Sequence, residues 1–158
     1  MNRRQFLKNA CGAAIAVPYF IPDSVIGRSG MVAPSNRIAS GCIGVGGMGT
    51  ANLKSFLGQH NAQVLAVCDV DTQHRKQACD LVNAAYGNQD CAVYNDFREL
   101  LARTDIDAVM IAVPDHWHGI IAVAAARARK DIYGEKPLAY TISEGRAIVD
   151  AVQRYGVI

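Results

Sequence analysis

Charge of one sign is the first thing this sequence lacks. Its 158 residues carry sixteen Lys and Arg against fourteen Asp and Glu. Arg3, Arg4, Lys8 and Asp23 hold all of that excess, so from residue 28 onward thirteen bases balance thirteen acids. Nucleic acid and anionic membrane both attract clustered positive charge, so neither is the partner that this balance indicates. Cysteine is present without a framework. Cys11, Cys42, Cys68, Cys79 and Cys91 contain no C-x-x-C pair for zinc or redox work, and Cys42 and Cys68 fall inside apolar, strand-like runs, so buried thiols are expected. Pairing of two of them stays open if the protein is exported. The apolar stretch at residues 10–21 is too short to span a bilayer. The chain has no internal repeat and no low-complexity segment.

What is there is a globular composition. With 51% hydrophobic and 19% charged residues, the chain has the apolar side chains for one sizeable core and the length of one domain. Its first residues, "MNRRQFLKNACGAAIAVPYFIP", read as an address. They resemble a twin-arginine export signal with R-R-x-F-L-K intact; an amphipathic helix or a retained anchor is the alternative. No clean A-x-A site follows. The expected organisation is a signal peptide over 1–27, a linker over 28–36 and one domain over 37–158. The signal implies the twin-arginine export machinery as a partner and a periplasmic or otherwise exported location. That machinery carries proteins already folded, commonly with cofactor inside.

From Arg37 the chain alternates. "RIASGCIGV", "AQVLAVCDV", "CAVYN", "DAVMIAV" and "DIYGE" read as strands whose continuous apolar runs suit parallel pairing with both faces covered. Helices are predicted over 48–58, 72–86, 96–103, 117–130 and 142–155. Asp96 with Glu99, and Thr141 with Glu144, have capping-box spacing, and Asp71 caps the helix that follows it. The fold class is therefore α/β, a doubly wound parallel sheet with right-handed crossovers.

The first strand runs into "GVGGMG", where Gly44, Gly46 and Gly49 fill the G-x-G-x-x-G frame of a dinucleotide-binding (Rossmann) turn, with Val45, Gly47 and Met48 between them. Gly44 allows the tight turn, Gly46 lets a pyrophosphate approach the backbone, and Gly49 lets helix pack close to strand. The free amides and partial positive charge of the helix N-terminus favour phosphate. Asp69, in "CDVD", lies twenty residues beyond Gly49, where a carboxylate accepts hydrogen bonds from an adenosine ribose. Such a carboxylate repels a 2′-phosphate and favours NAD over NADP, although Arg75 and Lys76 lie close enough to compensate. Two imidazoles and a carboxylate in "VPDHWH" make no third-ligand pattern for a metal. His116 has no assigned role, and Trp117 is read as a lid or core aromatic.

In their order, "GVGGMG", "CDVD", "VPDHWH" and "GEKP" resemble the N-terminal half of the Gfo/Idh/MocA oxidoreductases, the family of glucose-fructose oxidoreductase and inositol 2-dehydrogenase. The likeness runs from about Arg37 to the end. It implies that Val113, Pro114 and His118, in the loop after the fourth strand, contact the nicotinamide side of the cofactor. Val113 and Asp115 depart from the family's usual T-P-N-x-x-H, which removes one threonine hydroxyl. A bland alternative for His118 is packing against Trp117 and the strand ends. The resemblance makes Lys136 the reactive lysine, with Pro137 often cis and Glu135 orienting the amine or contacting cofactor. It implies hydride exchange between NAD, or NADP, and a sugar or cyclic polyol, a second domain that this chain lacks and that carries pocket and base, and a homo-oligomer when complete. Exported relatives include glycosidases that oxidise, eliminate and re-reduce with NAD restored; the "GEKP" lysine favours the oxidoreductases. A non-catalytic nucleotide-binding module is the third alternative.

Overall fold

Apolar runs with no polar face become strands only where helices cover them from both sides. The computed structural model describes residues 32–158 and has that arrangement. Five strands, β1 (Ile38–Ile43), β2 (Ala62–Cys68), β3 (Ala92–Tyr94), β4 (Ala108–Ile111) and β5 (Asp131–Gly134), pair in parallel in the order β3-β2-β1-β4-β5. The helices are α1 (Gly47–Leu57), α2 (Thr72–Tyr86), α3 (Phe97–Leu101), α4 (Asp115–Arg127) and α5 (Ile142–Tyr155). Residues 35–158 form one compact unit. The expected signal over 1–27 and the first part of the expected linker, 28–31, lie outside the described residues. Among the described residues no helix is long and apolar enough to cross a membrane.

Successive side chains of a strand point to opposite faces, and each face here has its own core. On one, Ile43, Cys68, Val109 and Ile111 pack with Leu100 of α3 and Ile121 of α4. On the other, Cys42, Val67 and Met110 pack with Leu53 of α1 and Val82 of α2. The chain winds outward from β1 through β2 to β3, then crosses back to lay β4 beside β1. Connections leave the carboxyl ends of β1 and β4 in opposite directions, which opens a crevice there.

Local signals set most element boundaries. Asp71 Oδ1 accepts from the Gln73 and His74 amides at 2.7 and 3.0 Å and starts α2 as expected. Thr141 and Glu144 complete a reciprocal capping box on α5, with 3.2 Å in each direction. Two expectations are corrected. Asp96 accepts from the Arg98 amide at 2.9 Å, but its carboxylate also holds the Arg98 guanidinium at 3.1 and 3.2 Å, so an ion pair stands where a box with Glu99 was expected, and α3 is shorter than 96–103. Helix α4 begins at Asp115 rather than at 117, because the Trp117 amide donates to the Pro114 carbonyl at 2.8 Å and closes the first turn two residues earlier.

The Asp71 carboxyl is held below its ordinary 3.8, first by the His74 amide and then by that of Gln73. A lowered folded value means stabilisation that is complete above the ordinary value and lost as pH falls through the folded one. The gap in urea midpoint between wild type and Asp71→Ala is therefore widest near neutrality and closes as the pH drops below 3.8. Thr141→Ala, which removes an uncharged cap, costs about 1 kcal/mol at either pH in the same titration.

Candidate dinucleotide and catalytic site

The four motifs that carry the family resemblance come out at the carboxyl edge of the sheet. Gly44 follows β1, Asp69 follows β2, Val113 and Pro114 follow β4, and Glu135 and Lys136 follow β5. Hydrogen bonding continues past the strand ends and fixes these tips: Gly44 N–H to Cys68 O at 2.8 Å, Ala112 N–H to Ile43 O at 2.9 Å, and Glu135 N–H to Ile111 O at 2.9 Å.

The three glycines of the frame are held to different degrees. Gly44 has φ +79°, where L side chains rarely sit, and a Cβ there would run into the Ala112 carbonyl at the exit of β4. A Cβ at Gly49 would overlap the Gly44 carbonyl oxygen. Gly46 is different, since its Cβ would meet only the His74 ring at 3.4 Å, an ordinary contact, and one at Gly47 would meet nothing within 4 Å. Two glycines thus serve the fold, and the middle ones leave open space over the backbone. Helix α1 starts at Gly46 with no side-chain cap, whereas Asp71, Asp96 and Thr141 cap α2, α3 and α5. The first amides of α1 keep their donor capacity, and Thr50 Oγ1 ties the turn by donating to the Val45 carbonyl at 2.7 Å. An uncapped helix end behind an open glycine turn fits the diphosphate of a dinucleotide.

Asp69 does more than its sequence position suggests. Its Oδ2 accepts from the Val45 amide at 2.8 Å and its Oδ1 from the Asp71 amide at 2.9 Å, so it binds the glycine turn to the tip of β2. Each carboxylate oxygen offers two acceptor sites, so both retain one for a ribose hydroxyl. His74 Nδ1 stands 3.7 Å from Oδ2. Arg75 is committed elsewhere: Nη1 donates to Asp69 O at 2.6 Å and Asn95 Oδ1 at 2.8 Å, and Nη2 to Thr72 Oγ1 at 3.0 Å. Lys76 pairs with Asp80 at 3.2 Å.

Between the tips of β2 and β4 lies a groove of ≈ 340 Å³, walled by Val70, Phe97, Val113, Pro114 and Trp117 with Asp69 and Asn95 at its polar end. Largely apolar walls with a few convergent polar groups suit a flat heteroaromatic ring. Trp117 is 41% exposed and meets Phe97 edge-on at 6.5 Å between centroids, so it belongs to this wall. His118, by contrast, is buried and lines a separate cavity of ≈ 140 Å³ with Ile111, Gly134 and Leu138, under the end of β5. Packing of His118 against Trp117 is therefore not what the helix does with it. His116 is exposed beside the Trp117 ring. Among the described residues no cluster of three or more His, Cys, Asp or Glu is placed to hold a metal.

At the tip of β5 the peptide between Lys136 and Pro137 is cis, as the resemblance implied. Glu135 Oε1 accepts from Asn52 Nδ2 at 2.9 Å, and Oε2 from the Lys136 amide at 3.2 Å. The Asn52 hydrogen bond first, then the Lys136 amide and the charge of Lys136, hold this carboxyl below the ordinary range, so it is ionised at neutral pH. The Lys136 side chain is exposed and takes part in none of the ion pairs among the described residues. A carboxylate anchored from α1 and a free amine therefore stand side by side at the sheet edge.

The sequence profile described as oxidoreductase family, NAD-binding Rossmann fold, matches residues 38–158. The chain belongs to the Gfo/Idh/MocA oxidoreductase family. Its described unit is that family's NAD-binding Rossmann domain. Among curated relatives it is 31% identical over 175 residues to a glycosyl hydrolase family 109 protein of Shewanella pealeana, and 30% identical over 176 residues to an alpha-N-acetylgalactosaminidase of Shewanella oneidensis. Both alignments cover 98% of this chain and 37% of the relative, so the chain spans a little over a third of their length. Among solved structures, an NAD binding oxidoreductase from Klebsiella pneumoniae matches with a TM-score of 0.64 and 31% identity, over 77% of this chain and 33% of that one.

Asn52 was missed from sequence, as was Asn95. Asn52 lies three residues beyond Gly49 and is the sixth residue of α1, past its first turn, a position that gave a weak hint of facing the tips. Its partner Glu135 is 83 residues away. The glycine geometry predicts a split. Gly46→Ala keeps wild-type thermal stability while losing at least tenfold in NADH affinity by fluorescence titration, whereas Gly44→Ala and Gly49→Ala lower the melting temperature itself.

Proposed function

We propose that this chain is the cofactor-binding part of an exported oxidoreductase that moves hydride between a sugar or cyclic polyol and NAD. The observation that carries the reading is the exposed Lys136 amine on the same sheet edge as the open glycine turn, beside a carboxylate that Asn52 keeps occupied. In this reading the turn from Gly44 through Val45, Gly46, Gly47 and Met48 to Gly49 takes the diphosphate, and Asp69 takes the adenosine ribose. The groove between the tips of β2 and β4 takes the adenine, which moves Val113 and Pro114 to that end from the nicotinamide side that the resemblance implied, while Glu135, Lys136 and the His118 end of α4 border the nicotinamide. NAD supplies the hydride acceptor when bound. Lys136 hydrogen-bonds a substrate hydroxyl and eases the loss of its proton as the carbon is oxidised.

NAD is favoured over NADP on two grounds. Asp69 presents a carboxylate where a 2′-phosphate would have to sit, and two cations that follow it in the chain, Arg75 and Lys76, are held by protein oxygens. Export is supported by the R-R-x-F-L-K motif at residues 3–8.

One observation favours a second reading. The curated relatives named above carry glycosidase names over nearly the whole chain, which supports a reaction in which oxidation, elimination and re-reduction leave NAD unchanged. The "GEKP" lysine, which by resemblance marks the oxidoreductases, weighs against it. The complete protein, incubated with NAD and a panel of free sugars, accumulates NADH absorbance in the first reading. In the second, it releases sugar from an aryl glycoside with no net NADH. Lys136→Ala in the complete protein abolishes NADH formation and leaves the NADH dissociation constant within threefold of wild type; an equal loss of both makes Lys136 structural.

A further inference from the structure

Four cysteines are described and they divide sharply. Cys42 and Cys68 lie in the central strands and are 0% and 2% exposed, on opposite faces of the sheet, each within its own core. Neither is within reach of an oxidant or of the other. Cys79 and Cys91 are both half-buried at the open β3 edge, one in the middle of α2 and one at the residue before β3. Cys79 Sγ lies 3.7 Å from the Cys91 carbonyl oxygen, and Cys91 Sγ lies 3.7 Å from the Ala92 carbonyl oxygen.

A third residue holds the two together. Asn83, only 6% exposed, donates from Nδ2 to Cys79 Sγ at 3.4 Å and accepts the Cys91 amide on Oδ1 at 3.1 Å. It thereby pins the backbone of one cysteine and the sulfur of the other. The intervening chain is already turned back: Gly87 ends α2 in the left-handed conformation at φ +66°, and the Asn88 amide returns to the Asn83 carbonyl at 3.1 Å. No ligand, metal or part of the dinucleotide site uses these thiols.

We propose that Cys79 and Cys91 are a disulfide-forming pair, closed by exchange with an external disulfide, that fastens α2 to the β3 edge of the sheet. Burial first, and Cys79 next, push the Cys91 thiol up to about 12, and the first attack is assigned to Cys79. Its thiolate displaces one thiolate from the oxidant RSSR and forms a mixed disulfide. Cys91 then gives up its proton, attacks the Cys79 sulfur and expels the second RS⁻. Two protein thiols lose two electrons and two protons, and one external disulfide becomes two thiols. The closed loop holds few residues beyond a helix end and a turn, so the bond removes freedom mainly from the unfolded chain.

The test equilibrates the complete wild-type protein in reduced and oxidised glutathione, then maps the alkylated peptides by mass spectrometry. The expected result in the oxidised buffer is one linkage, Cys79 to Cys91, with Cys42 and Cys68 recovered as thiols, and a melting temperature about 10 °C above that of the reduced protein. Cys79→Ser and Cys91→Ser each lose the oxidation-dependent rise and melt like the reduced wild type. Recovery of Cys79 and Cys91 as free thiols or as separate glutathione adducts overturns the proposal, as does a linkage of either to a different cysteine. Melting curves that coincide in both buffers despite the linkage overturn the fastening role.

Discussion

The contact on which this structure depends is the one between Gly49 and the carbonyl oxygen of Gly44. No side chain fits there, because a Cβ on Gly49 would occupy the position of that oxygen. The absence of one carbon lets α1 press its first turn onto the exit of β1. Gly44 in turn lies against the Ala112 carbonyl leaving β4, so one close-packed point joins β1, α1 and β4 where the winding of the sheet reverses. The crevice follows from that reversal, and the uncapped amides of α1 point into it because the turn is so short.

Around that point the site is assembled by polar side chains that reach between elements. Asp69 ties the tip of β2 to the glycine turn through the Val45 amide, and Asn52 ties α1 to the tip of β5 through Glu135. Each bond crosses a gap that backbone pairing leaves open. Together they make the sheet edge one surface instead of five separate loops. The same bonds decide the chemistry. Glu135 accepts from Asn52 and from its neighbour's amide, Lys136 takes part in none of the ion pairs among the described residues, and the amine keeps its three donors for a ligand. Arg75 likewise donates to Asp69 O, Asn95 and Thr72.

Much of this was legible in the sequence, for reasons that differ by residue. The five strands were readable because both their faces are buried and their runs are therefore uniformly apolar. Asp71 and Thr141 were readable because a cap acts within three residues of its own position. Asp96 misled because Arg98 is also close, and a guanidinium two residues away took the carboxylate that the box with Glu99 would have shared. Packing of His118 against Trp117 stood as the alternative reading because the two are adjacent. A helix turns 100° per residue, so adjacent side chains diverge, and these two line different cavities.

The sequence by itself determined the alternation of strand and helix, the glycine frame and its place between β1 and α1, and the family to which the residues from 38 onward belong. Those are properties of short windows, in which spacing and residue type are enough. Tertiary structure alone decided which glycines serve the fold and which leave room, that Asp69 braces the turn, that Asn52 holds Glu135, and that Asn83 bridges Cys79 and Cys91. Each of these depends on a distance between groups that spacing along the chain does not set, and such a distance exists only once the sheet has set the order and register of its strands.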